Sequence, residues 1–382
     1  MSKDPKIREK YKIAAQAVGK AGGTPIPVND TLLDILEYFI MEDELDFVAA
    51  FLNQTSQTME QLKESSQLGE AEIEAKVKKL AARGVIFNQP NRKGVMVYRL
   101  LPLINVGTFE YTFMGPLEDN PRNREISALF KKLFEEFTEL IEANYDSLMP
   151  MMMNAPPVDR TVPVTENRPT GKKIKVVVNQ SVQTPVERII PTQEVQAIID
   201  KFDDIAVGHC FCRHYRDMLD RSCEQTEERE NCFSFGKSAR YTSSQGFSRL
   251  ISKQEALAIL KRAEEAGLVH KAYHPNFNTL KDETSICNCC RCCCGNSVVN
   301  SHTGVVNAAH YLAEIDTSLC TGCGTCVEMC HTFAATIGDD GKAQRDKDRC
   351  IGCGVCAAFC PENAVSLIEQ ERIVRIPAKR KD

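Results

Sequence analysis

The first hundred residues place apolar side chains at helical spacing and then at the alternating spacing of strands. Two short strands are expected over Val85–Phe87 and Val95–Leu100, on either side of the polar, turn-rich segment 88–94. Four helices are expected before them, over Thr31–Ile40, Glu44–Leu52, Met59–Ser66 and Ala71–Arg83. This order predicts a winged-helix-like domain over residues 31–104, after an N-terminal arm over residues 1–30.

The helix that would read DNA in such a domain has acidic residues where a recognition helix meets base edges. These are Glu70, Glu72 and Glu74, at its N-terminal end. Phosphate binding needs a clear excess of Lys and Arg, whereas the chain has a formal net charge of −5. We therefore expect a docking or packing domain and no nucleic acid partner, with DNA binding as the alternative.

Beyond residue 104 the pattern predicts further segments and an α+β fold overall. A long amphipathic helix is expected over about residues 124–143, and another helix, capped by Ser252, ends at Gly267. The predicted segments are a helical stretch over 105–153, an extended Pro-rich connector over 154–192, a cysteine-rich metal-binding domain over 193–313, a second cysteine-rich domain over 314–370 and a basic tail over 371–382.

Cysteine usage points to metal binding in a reducing compartment. The chain has 382 residues and 18 cysteines, and all of the cysteines lie beyond residue 209. No apolar signal-peptide core is present, and no stretch approaches the roughly 20 apolar residues that span a bilayer. Disulfide scaffolds are typically short and secreted. We therefore expect a cytoplasmic protein without a membrane span, whose thiols are kept reduced in a cell with little oxygen.

Two four-cysteine runs near the C-terminus have the spacing that wraps a loop around a cubane iron–sulfur cluster. They read Cys320-x2-Cys323-x2-Cys326-x3-Cys330 and Cys350-x2-Cys353-x2-Cys356-x3-Cys360, an internal repeat at an offset of 30 residues (350 − 320). The same offset aligns Asp316 with Asp346 and Ala334 with Ala364. The runs predict two [4Fe–4S] clusters that carry out one-electron transfer.

Glycines between these cysteines are candidate contributors to the cluster sites. They are Gly322, Gly324, Gly352 and Gly354. A backbone that passes close to a cluster and points N–H groups at sulfur would be obstructed by a Cβ. His331 breaks the repeat, because the second run has Pro361 at the matching position. The presence of His in place of Pro leaves the cysteines unchanged, but it is expected to change the hydrogen bonds beside them.

The segment over about residues 314–370 resembles the bacterial-type two-cluster ferredoxins. The resemblance implies that the fourth cysteine of each run binds the other run's cluster. It assigns one cluster to Cys320, Cys323, Cys326 and Cys360, and the other to Cys350, Cys353, Cys356 and Cys330. A zinc site or a set of disulfides is the alternative, although zinc ligands usually come as two CxxC knuckles.

Ten further cysteines lie upstream, in one group from Cys210 to Cys232 and a second from Cys287 to Cys294. Three alternatives are open: one or two further iron–sulfur clusters, a structural zinc site that could include His209 or His214, or buried thiols without metal. If the second group is extended, Cys287, Cys289 and Cys293 face one side, opposite Cys290, Cys292 and Cys294. The predicted metal ligands are Cys210, Cys212, Cys223, Cys232, Cys287, Cys289, Cys290 and Cys292.

These cysteine segments are similar to those of multi-cluster ferredoxin-type proteins of anaerobic bacteria and archaea. The shared features are the CxCR segment at Cys210, the helix end over 264–270, the run from Ile286 to Cys294 and the C-terminal runs. The likeness spans most of residues 105–370. It implies that the protein serves as an electron-transfer subunit or partner of a larger redox enzyme.

We therefore expect a non-catalytic iron–sulfur electron-transfer protein, the electron-carrying subunit of a larger anaerobic redox complex. It would pass single electrons between its C-terminal clusters and a flavin or other catalytic centre on a partner protein. No GxGxxG after a strand and no P-loop occur in the sequence, so substrate chemistry is expected on another chain. The alternatives are an enzyme with a site-differentiated cluster in the middle region and a redox-sensing winged-helix transcription regulator.

Overall fold

The computed structural model describes residues 4–22, 26–91, 93–116, 118–144, 146–148, 150, 159–177, 195–274, 282–295 and 311–370. This part of the chain mixes helices and strands throughout, which confirms the α+β class. The predicted basic tail over 371–382 lies outside the described residues. Among the described helices, none combines the length and the apolar content needed to cross a bilayer.

The regular elements of the described residues are numbered here in chain order. The helices are α1 (Pro5–Ala21), α2 (Asp30–Leu36), α3 (Leu45–Ala49), α4 (Met59–Ser66), α5 (Glu70–Ala82), α6 (Thr108–Met114), α7 (Pro121–Ala143), α8 (Val195–Asp200), α9 (Phe211–Asp217), α10 (Lys237–Ser244), α11 (Lys253–Glu265), α12 (Thr325–Glu328) and α13 (Val355–Phe359). The strands are β1 (Ser56–Gln57), β2 (Ile86–Pro90), β3 (Met96–Leu100), β4 (Asp159–Val162), β5 (Val176–Val177), β6 (Ile205–His209), β7 (Glu230–Phe235), β8 (Arg249–Ile251), β9 (Val269–Tyr273), β10 (Ser285–Cys289), β11 (Tyr311–Ile315), β12 (Ala335–Ile337), β13 (Ala343–Arg345) and β14 (Val365–Glu369).

The chain divides into two units, each assembled from separated stretches of sequence. The first comprises Met1–Leu140, Gly208–Arg221 and Lys237–Leu250. The second comprises Ile141–Val207, Ser222–Gly236 and Ile251–Asp382. The segment boundaries expected from the sequence stay predictions.

The first unit contains the predicted N-terminal helices and hairpin. Helix α4 has the predicted bounds, because Thr58 caps it and Gln61 completes a capping box. The helix expected over Glu44–Leu52 is shorter than predicted, with a 3₁₀ turn at Glu42–Glu44 before α3. Strand β3 pairs antiparallel with both β1 and β2. Aromatic rings from α6, α7 and α9 pack together in the core of this unit.

The second unit is built on a mainly antiparallel sheet. The strand order is β4-β9-β10-β7-β6-β8. Along the chain, one boundary between the units falls within β6, after Val207, and another within β8, after Leu250. Apolar residues of α8 and α11, including Ile198, Ile199 and Leu260, pack with Ile286 of β10. Helix α11 begins as predicted, because the Ser252 hydroxyl accepts the N–H of Glu255 at 3.1 Å.

The C-terminal part of the second unit has a smaller sheet of its own. Strand β14 lies between β11, which is antiparallel to it, and β5, which is parallel. Strand β5 belongs to the segment that the sequence indicates as an extended connector. In the described part of that segment, β4 joins the larger sheet and β5 the smaller one, so it is an integral part of this unit.

Candidate metal centres

Each C-terminal cysteine run forms a loop that leads into one short helix. Helix α12 follows Gly324 and helix α13 follows Gly354, which explains the glycine at the end of each loop. Gly322 and Gly352 have φ angles of 73° and 67°. A Cβ on Gly322 would lie 2.1 Å from the carbonyl oxygen of Gly341, so close backbone packing excludes a side chain there.

The first run forms a cavity that also receives the last cysteine of the second run. Its lining includes four thiols, those of Cys320, Cys323, Cys326 and Cys360. Burial raises the pKa of Cys326 to about 11, and the charges of its three partners act in the same direction. These thiols would become thiolates most readily with a cation among them, which the irons of a cluster would provide. The donor set fits the [4Fe–4S] assignment, which stays a prediction.

Cysteines of the second run lie within electrostatic range of Cys330, the last cysteine of the first run. Burial raises the pKa of Cys353 to about 12, and the nearby charges of Cys330 and Cys350 raise it as well. Burial also raises the pKa of Cys356, with Cys353, Cys350 and Cys330 again among the causes. The charge of Cys330 thus acts on two cysteines of the other run, which agrees with the implied ligand exchange.

Backbone N–H groups point at several of these sulfurs. Ala334 donates to Cys330 Sγ at 3.2 Å, and the matching residue of the repeat, Ala364, donates to Cys360 Sγ at 3.3 Å. Gly322 donates to Cys320 Sγ at 3.4 Å. Hydrogen bonds of this kind stabilise charge on the ligand sulfur and tune the reduction potential of a bound cluster.

A compact group of four thiols lies upstream, in the same unit. It consists of Cys223, Cys290, Cys292 and Cys293, whose sulfurs all lie within 4.8 Å of one another. Three of the four were predicted as ligands and Cys293 was not. The condition for alternation along 287–294 is not met, because strand β10 ends at Cys289 and residues 291–293 turn. The turn brings Cys293 back to Cys290, whose sulfur accepts the Cys293 N–H at 3.3 Å.

The surroundings of this compact group are apolar. Ala263, Ala266 and Leu268 pack against its side chains. Hydrogen bonding to Cys290 and burial raise the pKa of Cys292, and hydrogen bonding to Cys223 and Cys290 raises that of Cys293. Several thiolates cannot coexist at this spacing without a positive charge between them.

The remaining predicted ligands are dispersed. Cys287 of β10 stands directly opposite Cys232 of β7, and Cys289 follows two residues later on the same face of the sheet. Cys210 and Cys212 are buried at the start of α9, and they belong to the first unit. His209 and His214 hydrogen-bond the backbone carbonyls of Gly115 and Phe113 through Nδ1. No described contact places either histidine in a metal site.

Hydrogen bonds connect the compact group to the first C-terminal run. The N–H of Arg291 donates to Gln225 Oε1 at 2.9 Å, and Gln225 Nε2 donates to the carbonyl of Gly267 at 3.0 Å. The same carbonyl accepts Nε2–H of the buried His331 at 2.9 Å. His331, the residue that departs from the repeat, therefore fixes the chain beside Cys330.

Comparison with known proteins agrees with the C-terminal geometry. The 4Fe-4S dicluster domain family matches residues 319–364. The C-terminal segment is a ferredoxin-type dicluster domain. A curated relative, described as a probable ferredoxin of Methanosarcina thermophila, is 44% identical over 36 residues, which are 9% of this chain and 62% of the relative. The match thus covers less than two thirds of the relative and lies within one part of this chain. No solved structure matches the chain.

Proposed function

We propose that this chain is an iron–sulfur electron-transfer protein whose dicluster domain holds two [4Fe–4S] clusters. The observation that carries the proposal is that Cys360, the last cysteine of the second run, lines the cavity of the first run. The charge of Cys330, the last cysteine of the first run, acts on Cys353 of the second. When bound, each cluster supplies a site for one electron.

The dicluster domain has features suited to electron exchange at its surface. Cys323 is exposed, whereas Cys320, Cys326, Cys350 and Cys360 are buried. A cluster held by an exposed ligand lies near the surface, where electrons can pass to another protein. The domain also exposes the large apolar side chains of Leu319, Phe333 and Ile337, which suit a transient protein contact. We propose that this domain binds a redox partner, either a flavoprotein or a larger oxidoreductase complex of an anaerobic cell.

The segment over residues 31–104 is proposed to be a winged-helix-like docking domain that binds protein. Charges on α5 support this choice over DNA. Glu70, Glu72 and Glu74 are exposed. Lys76 donates to the Asp43 carbonyl at 2.6 Å and Arg83 pairs with Glu44, so two of the basic residues are engaged within the domain. Too few cations remain on this helix for phosphate contacts.

The middle region extends the proposed electron path. The sequence predicts one or two further iron–sulfur clusters and includes Cys223, Cys290 and Cys292 of the compact group among their ligands. We propose a further centre among the predicted ligands outside that group. Cys232, Cys287 and Cys289 share one face of the larger sheet, which supports a further centre there. Such a centre would carry electrons between the dicluster domain and the catalytic centre of a partner.

Electron delivery to a defined acceptor tests the proposal. The anaerobically purified chain is reduced with dithionite, freed of excess reductant and mixed with an FMN-containing flavodoxin, while the electron paramagnetic resonance (EPR) signals of the clusters are followed. Wild-type protein should lose both reduced dicluster signals, and a Cys323→Ala variant should deliver one electron fewer per chain. Protein that keeps its electrons, or that delivers no more than a metal-free control, would rule the function out.

A further inference from the structure

The compact group differs in spacing from the two ligand sets of the dicluster domain. Its four sulfurs lie within 4.8 Å of one another, and within the described ranges no other three or more potential ligands meet that limit. All eight cysteines of the dicluster domain are described, so their sulfurs are spread more widely. The two kinds of site are therefore built for metal centres of different size.

The spacing of the compact group fits one metal ion. Tetrahedral zinc binds thiolates at about 2.3 Å, which puts neighbouring sulfurs about 3.8 Å apart. Cys223 Sγ lies 3.5 Å from Cys292 Sγ, and Cys292 Sγ lies 3.7 Å from Cys293 Sγ. A cubane holds its four thiolates farther apart, because each one binds a different iron at a separate corner.

We propose that Cys223, Cys290, Cys292 and Cys293 bind a single zinc ion as a structural centre, distinct from the iron–sulfur clusters. Four thiolates complete a tetrahedral shell and leave no open position, which is the arrangement of structural zinc sites. Ala263, Ala266 and Leu268 pack against the group, and Cys290 and Cys293 are buried there. The proposal stands independently of the electron-transfer function.

The zinc ion would fasten the loop that carries Cys223 to the turn after β10. Gln225 follows two residues after Cys223 and accepts the N–H of Arg291, inside the same turn. Gln225 and His331 share the Gly267 carbonyl as acceptor. The centre thus holds the backbone against which His331 docks, one residue from the cluster ligand Cys330. Its role is to position part of the dicluster domain.

Zinc content of matched variants tests the assignment. The full-length chain, a Cys293→Ser variant and a Cys294→Ser control are purified anaerobically and analysed for zinc, iron and sulfide. Cys294 is also buried and lies next in sequence, but it stands outside the compact group. Wild type and Cys294→Ser should each carry one zinc per chain. Cys293→Ser should lose the zinc and keep the iron and sulfide of the dicluster domain.

X-ray absorption at the zinc edge of the wild-type protein provides a test that needs no variant to fold. The expected spectrum has one shell of four sulfurs at about 2.3 Å and no neighbouring metal. Zinc with nitrogen or oxygen ligands would overturn the proposal. A single iron in place of zinc, or loss of iron and sulfide in equal amounts from Cys293→Ser, would overturn it as well. None of these three results would change the iron content that is expected for the dicluster domain itself.

Discussion

The backbone N–H of Asp316 donates to the carbonyl of Ala364 at 2.8 Å, which joins the start of the first cysteine run to the end of the second. The matching residues of the repeat, Asp346 and Ala334, make the same bond at 2.7 Å. Each aspartate stands four residues before the first cysteine of a run, and each alanine four residues after the last. These paired bonds hold the end of each run beside the start of the other, as the predicted ligand exchange requires.

Removal of one exchanged ligand should damage the cluster of the other run. We predict that Cys330→Ala disrupts the cluster held by Cys350, Cys353 and Cys356 and largely preserves the other one. The remaining cluster is identified by its EPR spectrum and midpoint potential under anaerobic conditions.

Two control variants make this result unambiguous. Cys353→Ala removes a ligand of the same predicted cluster, and Cys323→Ala removes a ligand of the other. The spectrum of Cys330→Ala should match that of Cys353→Ala. A match with Cys323→Ala would show that each run holds its own cluster.

Glycines in the first run should differ in their tolerance of a side chain. Gly322 and Gly324 have φ angles of 73° and 83°. A Cβ at Gly322 would also collide with the Gly341 carbonyl, whereas Gly324 has open space around it. We predict that Gly322→Ala loses the cluster bound by the first run. Gly324→Ala should keep both clusters at a cost of about 1–2 kcal/mol from strained backbone. Iron content and the free energy of unfolding measure the two effects, and equal iron loss in both variants would contradict the steric argument.

The buried ion pair of Lys271 and Asp159 should be critical for stability. Their side chains are 2% and 5% exposed, with Nζ and Oδ2 3.0 Å apart. Lys271→Met would leave a buried carboxylate without its cation and should lower the free energy of unfolding by about 3–5 kcal/mol.

The matched control is the exposed pair of Lys10 and Asp46, whose side chains are 49% and 77% exposed. Lys10→Met should cost at most about 1 kcal/mol. Anaerobic urea unfolding compares the two variants with wild type. Similar losses of unfolding free energy in the two variants would contradict the prediction that the buried pair contributes more to stability.

Protonation of Glu283 in acid should lower the stability of the second unit. Burial alone would raise the pKa of Glu283, but hydrogen bonds from Lys201 at 3.0 Å and Arg160 at 2.6 Å lower it below the ordinary value of 4.5. The unfolded carboxylate therefore takes up a proton at a higher pH than the folded one. Its stabilising contribution is fully present above pH 4.5 and is lost as the pH falls through the lowered folded pKa.

Thermal unfolding of wild type and Glu283→Gln over a pH series measures this contribution. The difference between their melting temperatures should be constant above pH 4.5 and shrink below it. Cluster loss in acid affects both proteins equally and cancels in the comparison. A difference that stays the same throughout the acid range would contradict the assignment.

The sequence predicts those features that local chemistry determines. The Ser252 hydroxyl accepts the N–H of Glu255, so the start of α11 could be read directly. The two cysteine runs likewise predict the dicluster domain, because the spacing of its ligands is local. The turn after β10 is not encoded in this way, so no local pattern indicates that Cys293 lies beside Cys290.

Long-range contacts account for the role of the segment expected to be a connector. Asn167 is 1% exposed, and its Nδ2 donates to the carbonyls of Ala357 and Cys360 at 2.9 and 2.8 Å. The partners are 190 and 193 residues away in sequence, so no periodicity in the segment itself reports them. A Pro-rich composition indicates extended backbone but not what that backbone packs against.

The content of iron and acid-labile sulfide in anaerobically purified protein tests the central claim most directly. Two [4Fe–4S] clusters in the dicluster domain require at least about 8 iron and 8 sulfide per chain, in equal amounts. Mössbauer spectra should assign this iron to four-iron clusters. Fewer than about 8 irons in fully loaded protein, or iron without matching sulfide, would contradict the account.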